Sequence, residues 1–194
     1  MANVRLLSVN TGTPKPLRAG HRTVLSAIGK SAVDDAVLAG PLGLTGDAQA
    51  DLRVHGGVGK AVYAYPAAHY AFWQDQRREH GVSLFDEALP FGFMGENLSI
   101  EGLLEEDAFI GDELHFPHCS LRITEPREPC FKFNAVMGFA QASKAMAHSG
   151  FCGFYLAVSS PGPIKAGETA QLVPGPRELC VADAFAARMG RPGR

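Results

Sequence analysis

The chain has 194 residues, of which 46% are hydrophobic and 20% charged, with a formal net charge of −2. This is the composition of a single globular domain long enough to bury a core, and the near-neutral balance argues against a general binder of nucleic acid or anionic membrane. Twenty-two glycines and 13 prolines point to turns and short strands rather than a helix bundle.

Residues 4–9 read as a first strand, closed by the turn-rich Asn10-Thr11-Gly12-Thr13-Pro14. Strands are expected at 22–28 and 36–38. A glycine-rich loop, Val54-His55-Gly56-Gly57-Val58-Gly59-Lys60, then leads into an apolar strand at 61–65. Pro66 sits where proline tolerates the first turn of a helix. His69, Phe72, Trp73 and Gln76 fall on one helical face, and Gly81 stops that helix. Residues 96–100 enter a further strand. Gly111-Asp112 and Gly167-Glu168 each precede an alternating segment, as turns feeding strands, and 120–124 and 154–158 complete the strand set. A second helix is expected over 139–148, ended by Ser149-Gly150, and a short third one from Val181. About eight short strands with two or three helices and no βαβ alternation favour a closed or partly open β-barrel with helical insertions.

The N-terminus lacks the apolar stretch and cleavage site of a signal peptide, and no segment approaches the apolar run of a membrane helix. A cytoplasmic protein with reduced thiols is the expectation. The four cysteines, Cys119, Cys130, Cys152 and Cys180, form no CxxC pair, so neither a zinc ribbon nor a thioredoxin-type motif is indicated.

Chemistry concentrates in Glu125-Pro126-Arg127-Glu128-Pro129-Cys130-Phe131-Lys132-Phe133-Asn134. Two prolines stiffen the backbone ahead of Cys130, and Arg127 and Lys132 favour its thiolate, the form that attacks electrophiles and binds soft metals. A buried, inert cysteine is the competing reading. Arg127 suits bidentate contact with phosphate or carboxylate, or else a surface ion pair with Glu125 or Glu128. His55-Gly56-Gly57 can form an anion-binding nest to which Lys60 adds a point charge, or merely a tight turn. In Gly95-Glu96-Asn97, the Asn97 amide suits the edge of a heteroaromatic ring and Glu96 suits proton transfer, with a plain loop turn as the alternative.

Taken in order, Gly46-Asp47-Ala48-Gln49-Ala50-Asp51, His55-Gly56-Gly57, Lys60 through Pro66, Gly95-Glu96-Asn97-Leu98, Ile110-Gly111-Asp112, Pro126-Arg127 with Pro129-Cys130-Phe131-Lys132, Ser149 through Tyr155 and Ala166-Gly167-Glu168 resemble the MOSC domain. The likeness is greatest to the bacterial stand-alone MOSC proteins that reduce N-hydroxylated base analogues. Val58-Gly59 stands where that family often has Pro-Asp, and Glu128 and Phe131 stand where it has Gln and Trp.

The resemblance implies a MOSC, pyruvate-kinase-like β-barrel over 1–178 and a short tail, 179–194, left from a helical extension. It implies a molybdenum cofactor, molybdopterin with molybdenum, and Cys130 as the thiolate ligand of the metal. His55, Gly56, Gly57, Lys60, Asn97, Arg127, Lys132 and Asn134 would bind the cofactor, and Glu96 would deliver a proton. The family at large also carries an association with pyridoxal phosphate. The activity implied is two-electron reduction of a small N-hydroxylated amine or nucleobase, with electrons from a separate flavin or iron–sulfur protein. No nucleic acid or membrane takes part, and self-association as a homodimer is compatible with it. Two rivals stand beside this activity: a non-catalytic cofactor carrier, and a sulfur-transfer module with a persulfide on Cys130.

Overall fold

Thirteen strands and four α-helices appear in the computed structural model, which describes residues 3–48, 56–85 and 87–190. The strands are β1 Asn3–Thr11, β2 Lys15–Ala19, β3 Arg22–Ser26, β4 Ser31–Val33, β5 Val37–Gly40, β6 Gly43–Leu44, β7 Val62–Pro66, β8 Leu98–Glu101, β9 Glu113–His115, β10 Ser120–Pro126, β11 Phe154–Ser160, β12 Gly162–Ile164 and β13 Thr169–Val173. The helices are α1 Tyr70–Glu79, α2 Phe131–Met137, α3 Ala142–Ser149 and α4 Val181–Arg188.

Seven strands form a ring in the order β13-β9-β10-β11-β7-β8-β1, and β1 returns to β13 through Asn3↔Gln171 and Arg5↔Thr169. The expected barrel is therefore closed, which removes the unpaired edges of an open sheet. Alternation builds its interior. Val4 and Leu6 of β1, Leu121 and Ile123 of β10, and Ala170 and Leu172 of β13 are buried, while Arg5, Arg122 and Gln171 between them are exposed. β4 extends the ring from β1 through Val9↔Val33. β2 and β3 form a separate two-stranded ribbon.

β7 departs from this pattern because both of its faces are covered. Tyr63 and Tyr65 project to the same side. There Tyr65 accepts a hydrogen bond from the Trp73 indole on α1, and Trp73 meets Phe133 of α2 edge-on at 5.0 Å. β7 also pairs parallel with β8, through Ala64↔Leu98 and Pro66↔Ile100. A parallel neighbour cannot be reached by a hairpin, and α1 with the loop after it makes the crossing.

Three expectations are corrected. Pro66 does not open the helix. Its ψ of 122° is extended, it ends β7, and a 3-10 turn over Ala67–His69 comes before α1. The helix expected at 139–148 starts at Ala142, because Gly138 in the left-handed region (φ 81°) ends a separate helix first. That helix, α2, is the fourth where two or three were expected, and it buries Phe133 and Met137 at an i, i+4 spacing. The strands not anticipated (β2, β4, β6 and β12) are two to five residues long and lie outside the ring.

The last helix is fastened to the barrel wall. Val181 N–H donates to the Ala108 carbonyl at 2.8 Å, and Val181 and Phe185 are buried.

One glycine tests this packing. Gly153 has φ +64°, and a Cβ on it would lie 2.5 Å from the Ala64 carbonyl oxygen and 2.9 Å from the rings of Tyr63 and Tyr65. Gly153→Ala is expected to destabilise the fold by about 3 kcal/mol through left-handed strain and overpacking against backbone. Urea unfolding checks this, and an unchanged midpoint would contradict it.

Candidate functional site

A cavity lies beside β7, enclosing about 670 Å³ of space that is partly open to solvent. Its walls come from five stretches of chain: the end of β3 with Lys30, the segment at Asp47, the Gly56–Ala61 turn, Gly95 with Asn97, and the segment from Arg127 to Lys132. Tyr63 and Tyr155 complete it.

Cys130 lies in this wall, half-exposed and extended (φ −138°, ψ 165°) at the N-cap position of α2. Its carbonyl accepts from the Ser143 hydroxyl of α3 at 2.8 Å and from Phe133 N–H at 3.0 Å. The stiffness expected of the two prolines is thus completed by a helix–helix contact.

Arg127 is buried (4% exposed), so the reading of it as a surface ion pair with Glu125 or Glu128 is overturned. Its guanidinium lies 5.0 Å from the centre of the Tyr63 ring and 4.9 Å from that of Phe133, and it donates weakly to the Tyr63 hydroxyl at 3.4 Å. No carboxylate among the described residues pairs with it. The acidic neighbours are taken up elsewhere: Arg188 of α4 lies 2.9 Å from both Glu125 and Glu128. The negative charge that Glu128 brings beside Cys130 is therefore met by the last helix.

Lys60 and Lys132 both reach the cavity. Lys60 lies over the Tyr155 ring at 5.4 Å and 3.6 Å from Glu125. Gly56 lines the wall, and Gly57 (φ 88°) precedes the 3-10 turn Val58–Lys60, whose Lys60 N–H donates to the Gly57 carbonyl at 3.0 Å. Thr124 of β10 donates to the Gly59 carbonyl at 2.6 Å, which ties this turn to the barrel. His55 lies outside the described residues, as do Gln49, Ala50 and Asp51 of the first motif.

Asn97 also lines the wall, but its amide is already engaged. Its Oδ1 accepts from Tyr63 N–H at 3.1 Å, and its Nδ2 donates to the Asn10 carbonyl at 3.2 Å and to Asp47 at 2.9 Å. Its part is to position the wall rather than to read a ring edge. Asp47 in turn accepts from Gly12 N–H at 2.9 Å and forms a close ion pair with Lys30, both side chains being over 90% buried. Burial pushes the Lys30 ammonium below its ordinary pKa, against the pull of Asp47.

Two assignments do not come together with the rest. Glu96 does not line the cavity. Its carboxylate is fully buried and accepts from Tyr70, from Ser99 at 2.7 Å, from Gly92 N–H at 2.8 Å and from Met94 N–H at 3.1 Å. Burial raises its pKa, while the Tyr70 and Ser99 hydrogen bonds oppose the rise. It organises the loop before β8. Asn134 faces a different groove and accepts from Ser143 N–H at 2.6 Å, joining α2 to α3.

Sequence reasoning gave no site role to Lys30, Tyr63, Tyr155 or Ser143. Lys30 follows the apolar run Ser26-Ala27-Ile28-Gly29 with nothing around it to suggest a binding role. Ser143 belongs to a helix whose contact with α2 is purely tertiary.

In chemical terms the cavity offers one soft donor, the Cys130 sulfur, among four cations and one carboxylate, Asp47, that is already paired. Among the described residues no three of His, Cys, Asp and Glu come together as a metal cage. This donor set fits an anionic ligand that carries its own metal ligands and takes a single thiolate from the protein.

Comparisons with known proteins identify the family. The MOSC domain family model matches residues 51–171. The chain is 33% identical over 168 residues to the uncharacterized protein YflK of Bacillus subtilis, covering 87% of this chain and 72% of that protein. It is 32% identical over 167 residues to protein YiiM of Escherichia coli, covering 86% and 72%. A protein of Gibberella moniliformis named Reductase is 33% identical over 172 residues, covering 88% of this chain but only 29% of its own length. The crystal structure of YiiM from Geobacillus stearothermophilus superposes with a TM-score of 0.75 at 27% identity, covering 96% of this chain and 84% of that one.

The four thiols should differ in reactivity. Burial pushes Cys119 up to about 11, with Glu168 adding to the effect, and pushes Cys152 well above the ordinary thiol value. Cys180 is raised by burial and donates to Asp183 at 3.3 Å. At pH 8, iodoacetamide should alkylate Cys130 at least about tenfold faster than Cys119 or Cys152 in the native protein. Peptide mass mapping checks this, and equal rates before unfolding would contradict it.

Proposed function

The chain belongs to the MOSC domain family, and on that basis we propose that it is a molybdenum-cofactor oxidoreductase that reduces N-hydroxylated amines or nucleobases to amines. The observation that carries this reading is a half-exposed, rigidly mounted thiol, Cys130, in one cavity with Lys30, Lys60, Arg127 and Lys132. The fungal relative's name, Reductase, supports the oxidoreductase class.

The overall reaction balances as R–NHOH plus two electrons and two protons giving R–NH2 and water. The N–O bond breaks, and one N–H and one O–H bond form. The cofactor, when bound, would supply a two-electron redox couple at a thiolate-ligated metal. The protein's share is binding, orientation and charge.

The Cys130 sulfur would be the one protein ligand, with its backbone fixed by Ser143 so that the donor does not drift. Arg127 would present a desolvated cation toward the cofactor's anionic groups, held between the rings of Tyr63 and Phe133. Lys60, Lys132 and the Gly56-Gly57 backbone would add to phosphate binding. Lys30, its charge paired with Asp47, would contribute a fixed dipole to the wall. Glu96 is left out of proton delivery, because its carboxylate is buried outside the cavity and is held by four donors. Electrons would come from a separate flavin or iron–sulfur protein.

The test starts from protein made in a cofactor-competent host. Bound molybdenum near one per chain and oxidised-pterin fluorescence are expected, as is reduction of benzamidoxime or 6-N-hydroxylaminopurine by reduced methyl viologen. Cys130→Ala should lose metal, and its activity should fall by about two orders of magnitude or more. A Cys130→Ala variant with full metal and activity would overturn the assignment. Loaded protein that reduces no N-hydroxylated compound would leave the carrier reading, and a persulfide on Cys130 without molybdenum would leave the sulfur-transfer reading.

A further inference from the structure

The tail from residue 179, expected as the remnant of a longer extension, supplies a side chain to the surroundings of the cavity. Its helix, α4, is held on the barrel wall by the buried Val181, Ala184 and Phe185 and by Ala182 N–H, which donates to the Glu105 carbonyl at 3.0 Å. Cys180 caps its N-terminus, its sulfur accepting from Asp183 N–H at 3.4 Å. Arg188 ends the helix, where the macrodipole favours a cation. The backbone that carries Arg188 is thus fixed before the side chain makes any contact.

From there Arg188 Nη1 reaches two carboxylates at once, Oε2 of Glu125 and Oε1 of Glu128, both at 2.9 Å. Glu125 Oε2 is also the atom that faces Lys60 Nζ, at 3.6 Å. One carboxylate oxygen is therefore shared by two cations. Arg188 holds it within hydrogen-bond distance, and Lys60 stands beyond that distance, over the Tyr155 ring in the cavity wall. The Glu125 side chain is 22% exposed and that of Lys60 30%, so water screens their attraction only in part.

Without Arg188, the shared oxygen has Lys60 as its one remaining ion-pair partner among the described residues. Lys60 would close onto it, and a charge turned toward the cavity would be cancelled. Glu128, in the wall segment between Arg127 and Cys130, would lose its partner at the same time. Both changes act against an incoming anion.

We propose that Arg188 is a positioning residue for anion binding: by occupying Glu125 and Glu128 it keeps the Lys60 charge turned to the cavity, although it does not line the cavity itself. The proposal rests on the reading of the cavity as the seat of an anionic cofactor, and it gives the tail beyond the barrel a part in that seat. Ion pairs as exposed as that of Arg188 with Glu128 add little to stability, so the part Arg188 plays is electrostatic rather than one of holding the fold.

Inorganic pyrophosphate is the probe, titrated calorimetrically into the cofactor-free full chain at low ionic strength. Arg188→Gln should bind it about fivefold more weakly than wild type, the scale of one partly screened charge near the ligand. The double variant R188Q/E125Q should return to within about twofold of wild type, because the oxygen that captures Lys60 is gone. Arg122→Gln is the control, since Arg122 pairs with Glu113 at 3.1 Å and leaves Glu125 untouched; it should bind as wild type does. Equal affinity of wild type and R188Q would overturn the proposal, as would equal weakening by R188Q and R122Q. A double variant no better than R188Q would overturn it too, because that is the result expected if Arg188 only pins α4 to the barrel. Wild type that binds no pyrophosphate would overturn it together with the cationic cavity beneath it. The expected pattern of affinities in a protein whose molybdenum-loaded form reduces no N-hydroxylated compound would support Arg188 in this part and remove the oxidoreductase reading alone.

Discussion

The parallel step between β7 and β8 is the constraint from which the site follows, and Asn97 is what fastens it. Its backbone N–H donates to the Tyr63 carbonyl at 2.8 Å while its side chain accepts from the Tyr63 N–H. It treats Asn10 in the same two-handed way, accepting from Asn10 N–H at 2.7 Å through its carbonyl and donating to the Asn10 carbonyl through its amide. One buried side chain thus joins β7, the entry to β8 and β1, and its remaining amide hydrogen fixes Asp47. Without that fixed carboxylate Lys30 would have no partner in the wall. A buried network satisfied at every member specifies one arrangement strongly, and here it holds the floor on which the cations stand.

Much of this was legible in the chain. Alternation gave the long ring strands, because an inward–outward pattern such as Val4, Arg5, Leu6 has one stable placement in a barrel. The Gly111-Asp112 and Gly167-Glu168 turns were readable because positive φ (96° and 91°) is a local property that glycine announces. Cys130 stood out by its prolines and neighbouring cations, and the cavity does contain it. α2 was not legible. Its seven residues follow a stretch whose prolines predict extension, and its stability comes from burying Phe133 and Met137. Glu96 shows the same limit in the opposite sense. A carboxylate in a loop looks available for proton transfer, and only the fold shows that Tyr70, Ser99 and two backbone amides have claimed it.

The site itself is a division of labour between a soft donor and a hard electrostatic frame. Arg127 is the clearest case. Placing a guanidinium out of water is costly unless something replaces its hydration, and here aromatic faces do so in place of a carboxylate. Its charge is therefore left largely uncancelled toward the cavity. Lys30 takes the other route, with its charge locked to Asp47. The two cations differ in kind: one can lend a net field to an incoming anion, and the other mainly contributes a fixed dipole.

The β2–β3 ribbon has a consequence for the behaviour of the protein at high concentration. A two-stranded ribbon outside a closed ring keeps two flanks with unsatisfied main-chain groups, the kind of surface on which a neighbouring molecule can add a strand. Pro16 removes one donor from such a flank, and Lys15, Arg18 and Arg22 set like charges against any second copy approaching in register. These cations therefore oppose strand addition by a second copy at a feature that lies outside the closed ring.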